Sequence, residues 1–304
     1  MALKAIDIHS HFSTREGTLS TMKYARGIAS YYMKQDVTAE QMVAGAKSDE
    51  AMARDFANAG VKGILVGWDA ESNTGEPAMS NDYVASMVQR FPEAFIGGFA
   101  CVDPWKGERA VMEAERCVKE LGLMGLKFQG AAQAFYPNDR RFYPLWEKCV
   151  EMGVPIQLHT GTTGLGANMP GGGGIKLKYT RPIPYIDDVA ADFPQLKIIC
   201  LHPSYPWQDE AIAMAIHKPN VFFDLSGWAP KYFPEVLKKE IKSRLKDRVM
   251  FGSDYPIMTY EQLFGAWGKE DYPPDIMERI YFKNAIRILE LNIDESEFER
   301  VEEK

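Results

Sequence analysis

The sequence reads as an α/β protein, a (β/α)8 TIM barrel in one domain, with an inserted loop after strand 1 and a long Gly-rich loop after strand 5. Three observations predict this. Eight short apolar runs recur along the chain, and most are followed by a segment of helical character. The residues able to do chemistry stand at the C-terminal ends of those runs, the face where barrel enzymes gather their sites. The 304 residues carry no internal repeat and no composition break, and a barrel of this kind fills such a length as one domain.

The first strand is the run 6–12, Ile-Asp-Ile-His-Ser-His-Phe. Side chains alternate faces along a strand, so His9 and His11 point the same way. Residues 13–48 form a polar connection dotted with aromatics, a length that is often functional in a compact domain. A helix over 49–59 stops at Gly60. The continuous apolar run 63–68 marks a strand buried on both faces. The alternation then repeats: helix 81–90, strand 95–102, helix 107–121, strand 125–128, helix 142–152, strand 155–159. After the Gly-rich loop come helix 183–193, strand 196–202, helix 207–217, strand 221–225, helix 232–245 and strand 249–252. Helical segments fill most of the C-terminal remainder of the barrel domain, 1–293, and 294–304 is a charged, frayed tail. No G-x-G-x-x-G follows the first strand, which counts against an open dinucleotide-binding sheet.

Composition narrows the class. Hydrophobic residues make up 46% and charged residues 25%, ordinary for a soluble globular protein with a large core. A net charge of -7 argues against nucleic acid as a partner. Cys101, Cys117, Cys149 and Cys200 form no C-x-x-C pair and sit in apolar or helical settings, as reduced core residues of a cytoplasmic protein do. The N-terminus enters a strand directly, without a signal peptide. No apolar run approaches the roughly 20 residues needed to span a membrane.

Strand 1 ends with His9 and His11, strand 4 carries Lys127, strand 5 ends with His159, strand 6 with His202, strand 7 with Asp224 and strand 8 with Asp254. His217, near a helix end, has a structural role. Barrel closure makes strands 1 and 8 neighbours, so His9, His11 and Asp254 converge, with His159 facing them across the mouth. Three imidazoles and one carboxylate suit one divalent ion, Zn²⁺ first and Mn²⁺ second. A water in the open position is acidified toward neutrality. His202 is left to shuttle protons.

With these pieces in place the chain resembles the amidohydrolase superfamily, in the amidohydrolase-2 subgroup typified by aminocarboxymuconate-semialdehyde decarboxylase. The matching pieces are Asp7-Ile8-His9-Ser10-His11, Gly125-Leu126-Lys127-Phe128, Leu158-His159-Thr160-Gly161, Leu201-His202-Pro203, Phe251-Gly252-Ser253-Asp254-Tyr255-Pro256 and Lys283-Asn284-Ala285. In order and spacing they cover nearly the whole chain. The resemblance implies that His9, His11, His159 and Asp254 bind one metal, that His202 is the catalytic acid/base, and that the protein is a homodimer or homotetramer. In other branches a carboxylated strand-4 lysine bridges two metals. Here Lys127 is expected to serve the substrate or an internal ion pair, or to snorkel to the barrel rim. Some decarboxylases of the subgroup carry Glu where this chain has Asp7; the shorter acid supports the ligands or fixes the strand end, and the departure weakens the decarboxylase reading.

The loop 160–182 holds Gly171-Gly172-Gly173-Gly174, then Lys176, Lys178 and Arg181, a candidate lid or anion cradle overhanging the metal. Tyr24, Tyr31, Tyr32, Phe135, Tyr136, Tyr205, Trp207 and Trp228 fall in rim segments and suit a flat substrate. Gln129 and Gln133 are polar candidates. Lys127, Gln129, Arg181, Tyr205 and Trp228 are taken as the substrate contacts. The leading reading is a metal-dependent hydrolase in which activated water, assisted by His202 and Asp254, attacks a carbonyl of a small aromatic or acyl substrate. The Gly/Lys loop and His-Pro-Ser-Tyr-Pro-Trp resemble hydrolases of aryl β-ketoacyl-CoA thioesters. The alternatives are non-oxidative decarboxylation of a hydroxybenzoate-like or muconate-type acid, a metal-assisted hydratase, and an inactive metal-stabilised scaffold.

Overall fold

The computed structural model describes residues 2–29, 34 and 37–302. Eight parallel strands lie in chain order, β1 (Ala5–Ser10), β2 (Val61–Val66), β3 (Phe95–Ala100), β4 (Gly125–Phe128), β5 (Ile156–His159), β6 (Ile198–Leu201), β7 (Val221–Asp224) and β8 (Val249–Met250), with helices in every connection between them. The sheet closes through the segment after β8. Ile8 N–H donates to the Phe251 carbonyl at 3.1 Å, Asp254 N–H to the His9 carbonyl at 3.0 Å and His11 N–H to the Tyr255 carbonyl at 2.9 Å. Strand 8 is shorter than the apolar run predicts because Phe251 N–H leaves the sheet and donates to the Ile280 carbonyl.

The period of two along each strand sorts the core. Ile6 and Ile8, Ile64 and Val66, and Ile199 and Leu201 fill the barrel interior, while Leu65, Leu126, Phe128, Ile156 and Leu158 face the helices. Lys127 and Gln157, paired across β4 and β5, therefore point inward. The four cysteines are free and buried. No helix among the described residues is long and apolar enough to cross a membrane.

Two expectations change. The connection 13–48 is not irregular throughout: it contains helices Arg15–Ser20, Met22–Ile28 and Ala39–Ala44. The last starts at a capping box in which Thr38 and Gln41 satisfy each other's backbone N–H. Residues 294–302 are docked rather than frayed. Leu3 and Glu297–Glu299 exchange backbone hydrogen bonds, and Phe298 stacks on Phe282 at 4.4 Å.

Candidate metal centre

The site begins with a buried carboxylate behind β1. Asp7 accepts hydrogen bonds from His9 N–H (3.0 Å), Ser253 N–H (3.0 Å), Tyr260 Oη (2.7 Å) and the Ser253 hydroxyl. It thus ties the end of β1 to the segment after β8 and fixes the strand end. Across that seam, His9 Nε2 and His11 Nε2 lie 3.1 Å apart. Asp254 Oδ1 is 3.4 Å from His11 Nε2 and 3.8 Å from His9 Nε2. Asp254 sits at φ +57° and His202 at φ +70°, left-handed conformations that non-glycine residues adopt where surrounding structure imposes them.

Behind this trio stands a second group. His9 Nδ1 is 3.0 Å from Asp224 Oδ2 and 3.0 Å from Ser226 Oγ. His202 Nδ1 is 3.1 Å from the Ser226 carbonyl, and His202 Nε2 is 3.0 Å from His159 Nδ1. Gly227, at φ +76°, makes room: a Cβ there would fall 2.9 Å from His202 Nδ1 and 3.0 Å from Asp254 Oδ2. Burial pushes His9 and His159 well below the usual imidazole range and lowers His11 and His202. Burial pushes Asp254 upward, but His202, His11 and His9 outweigh it and hold the carboxyl well below its usual value. Burial likewise drives Asp224 well up, against the hydrogen bonds from Ser226.

This chemistry fits a divalent cation. Neutral imidazoles and an ionised carboxylate are the forms that ligate, and the donor atoms of His9, His11 and Asp254 lie within 4.8 Å of one another. The neighbouring pair shows the same need. His159 Nε2 faces the Thr162 carbonyl at 3.1 Å, so the chain from Thr162 through His159 and His202 to Ser226 contains three contacts that each require an N–H. Two neutral imidazoles supply two; a cation taking a nitrogen lone pair of this pair would relieve the shortfall.

The structure brings His9, His11 and Asp254 together as expected and places His159 against His202, with ring centroids 4.5 Å apart, rather than within the trio. His11, Trp68, Gln129, His159, His202 and Trp228 line a cleft of about 990 Å³. Three expected substrate contacts are not on its wall. Arg181 is turned away, because its guanidinium forms a bidentate ion pair with Glu210. Tyr205 is 54% exposed and meets Trp228 at a tilt of 46°, with ring centroids 5.9 Å apart. Lys127 neither snorkels nor pairs: it is fully buried, 5.3 Å from the centroid of the Trp68 ring, without a hydrogen-bond partner for Nζ among the described residues. Burial lowers its pKa to about 8.

Other rim candidates prove structural. Lys178 lies over Tyr136 and Tyr179, and Phe135 is core. Gln133 Nε2 donates to the Asp69 and Val102 carbonyls. Tyr31 and Tyr32 lie outside the described residues. Sequence reasoning gave Asp224 no role and missed Ser226, Tyr260 and Trp68. For Asp224 and Ser226 the signal was present, two polar residues flanking Leu225 at the end of an apolar run.

Fold and site define a TIM barrel with a His/Asp cluster at the C-terminal ends of its strands. The chain belongs to the amidohydrolase family, whose model matches residues 6–291. It is 30% identical over 168 residues to a 2-keto-4-carboxy-3-hexenedioate hydratase of Sphingobium sp., covering 47% of this chain and 49% of that protein. It is 36% identical over 86 residues to a gamma-resorcylate decarboxylase of Polaromonas sp., covering 26% of each. The chain thus matches about half or less of the length of these curated relatives. An uncharacterized TIM-barrel protein of Bordetella bronchiseptica superimposes with a TM-score of 0.75 at 25% identity, over 95% of this chain and 99% of the other. The 5-carboxyvanillate decarboxylase of Novosphingobium aromaticivorans, solved with manganese and 4-hydroxy-3-methoxy-5-nitrobenzoic acid, shares the fold at a TM-score of 0.69 and 22% identity, over 95% and 96% of the chains.

Proposed function

We propose that this protein is a metal-dependent carboxy-lyase that removes CO₂ without oxidation from a small hydroxylated aromatic or muconate-type acid. The observation that carries the reading is the convergence of His9, His11 and Asp254 beside His202 in a cleft walled by Trp68 and Trp228. The gamma-resorcylate and aminocarboxymuconate-semialdehyde decarboxylases among the relatives support it. It replaces the hydrolase that the sequence favoured. The basic loop offered for CoA phosphates has Arg181 and Lys178 already engaged, which weakens the case for a thioester substrate.

In this reading His9, His11 and Asp254 hold the ion, with His159 the remaining candidate donor. Bound there, Zn²⁺ or Mn²⁺ supplies positive charge for the substrate carboxylate and its neighbouring oxygen. Trp68 and Trp228 hold the flat ring, and Gln129 offers its side-chain amide. His202 has Nδ1 tied to the Ser226 carbonyl, so Nε2 handles the proton. Nε2 takes up a proton from solvent and passes it to the ring carbon bearing the carboxylate. The C–C bond then breaks, its electron pair restores the aromatic ring, and CO₂ leaves. A second reading follows from the hydratase among the relatives: the same parts would add water to an unsaturated keto acid.

The test is elemental analysis of the purified protein followed by product analysis on hydroxybenzoates, muconate-type acids, unsaturated keto diacids and aryl β-ketoacyl thioesters. About one equivalent of Zn or Mn with CO₂ release is expected. A hydrated product without CO₂ would establish the second reading, and free thiol would restore the hydrolase. Protein that takes up no divalent ion would overturn the site.

A further inference from the structure

One hydroxyl touches both halves of the site. Ser226 is 1% exposed, two residues beyond the last residue of β7. Its N–H donates to Asp224 Oδ1 at 2.7 Å, and its hydroxyl donates to Asp224 Oδ2 at 2.6 Å. The same Oγ lies 3.0 Å from His9 Nδ1 and 3.0 Å from His202 Nδ1.

We infer that Ser226 is the positioning residue that sets the tautomer of both His9 and His202. A serine hydroxyl has one proton and two lone pairs. The shortest of its contacts is to the Asp224 carboxylate, and the proton goes there. The lone pairs are then left to accept, so the nitrogens that meet them carry hydrogen: Nδ1–H on His9 and Nδ1–H on His202. Each ring has a second acceptor that agrees. Asp224 Oδ2 lies 3.0 Å from His9 Nδ1, and the Ser226 carbonyl lies 3.1 Å from His202 Nδ1. Both Nε2 atoms are therefore bare. His9 Nε2 points at the donor trio, and His202 Nε2 points toward His159, a cleft residue. One side chain on β7's exit thus presents a ligating lone pair on one ring and a proton-accepting lone pair on the other. Partners that fix a ligand histidine's tautomer typically change metal affinity by about 10–100-fold when removed.

The inference deepens the reading above, and its test separates the two. The full chain has five histidines, few enough to assign in long-range ¹H–¹⁵N imidazole correlations on metal-free protein. The expected result is the Nδ1–H tautomer for both His9 and His202. Finding Nε2–H on either ring overturns the inference without any variant; for His9 that result would mean that Asp224 carries the proton and Ser226 donates to the imidazole. In Ser226→Ala, Asp224 Oδ2 and the residue-226 carbonyl remain as acceptors, so each ring is expected to lose part of its Nδ1–H population rather than all of it, and the dissociation constant for Mn²⁺ or Zn²⁺ by titration calorimetry to rise about 10-fold, the low end of the range for such partners. Ser226→Thr, which keeps the hydroxyl, should restore the tautomers. An unchanged imidazole spectrum with unchanged affinity in the alanine variant would reduce Ser226 to packing. If the natural protein binds no ion, the proposed function falls, while the tautomers of the metal-free protein still decide the inference.

Discussion

Lys127 carries a charge with no hydrogen-bond partner for Nζ among the described residues. A buried donor without an acceptor costs about 1–3 kcal/mol, and Trp68 offers only the face of its ring at 5.3 Å. Replacing it with a straight apolar chain of similar length, Lys127→Met, should therefore raise the melting temperature of the metal-free protein. A lower melting temperature would mean that the ammonium has a stabilising partner in solution. His202 gives the complementary case. His202→Ala should retain the ion and lose turnover by roughly 10²–10⁴-fold, the range of a general acid/base; loss of metal in that variant would make His202 a ligand. Both residues were legible as strand-end chemistry. Their surroundings were not, because partners such as Glu210 for Arg181, or the missing one for Lys127, come from segments distant in sequence.

At the scale of elements, the eight strands were readable because parallel strands buried on both faces leave unbroken apolar runs. The three helices within 13–48 were not, since each is six or seven residues long and none has a clear apolar stripe. The strand ends carry a constraint that no periodicity reveals. A Cβ on Gly252 would fall 2.3 Å from Asp224 Oδ1, so β8's exit and β7's carboxylate occupy one space. Gly252→Ala is expected to displace Asp224 and weaken ion binding more than it lowers the melting temperature; calorimetric titration beside a thermal melt checks the order. The loop after β5 behaves oppositely. Gly171, Gly172 and Gly173 all lie at φ near +60°, a run only glycine adopts readily, and Arg181 is anchored to Glu210. That run reads as a turn built to reverse the chain. Arg181→Ala should leave KM unchanged and cost no more than about 1 kcal/mol, as exposed ion pairs do. A raised KM would return the loop to the substrate.

Over the whole molecule, the buried titratable groups set how the metal-free fold responds to pH. His9, His11, His159 and His202 are all harder to protonate in the fold than in the unfolded chain. Protons taken up below about pH 6.5 therefore go to the unfolded state. The stability these rings contribute is complete above that pH and is lost as pH falls toward their folded values. Asp7 and Asp224 act with the opposite sign: burial raises both, so above about pH 3.8 the fold holds their protons more readily than the unfolded chain does. Between pH 7 and pH 5 the unfolded histidines take up protons that the folded rings resist, and that uptake is expected to set the slope. A loss of stability is therefore expected on acidification. Zn²⁺ or Mn²⁺ binds only deprotonated imidazole, so the ion should steepen the same slope by stabilising the neutral-pH fold most. Thermal melts at pH 7, 6 and 5, with chelator and with added ion, measure both effects. A melting temperature that rises on acidification in chelator would mean that the carboxyls govern the core of this barrel. An ion effect no larger at pH 7 than at pH 5 would mean that the histidines are not what the ion binds.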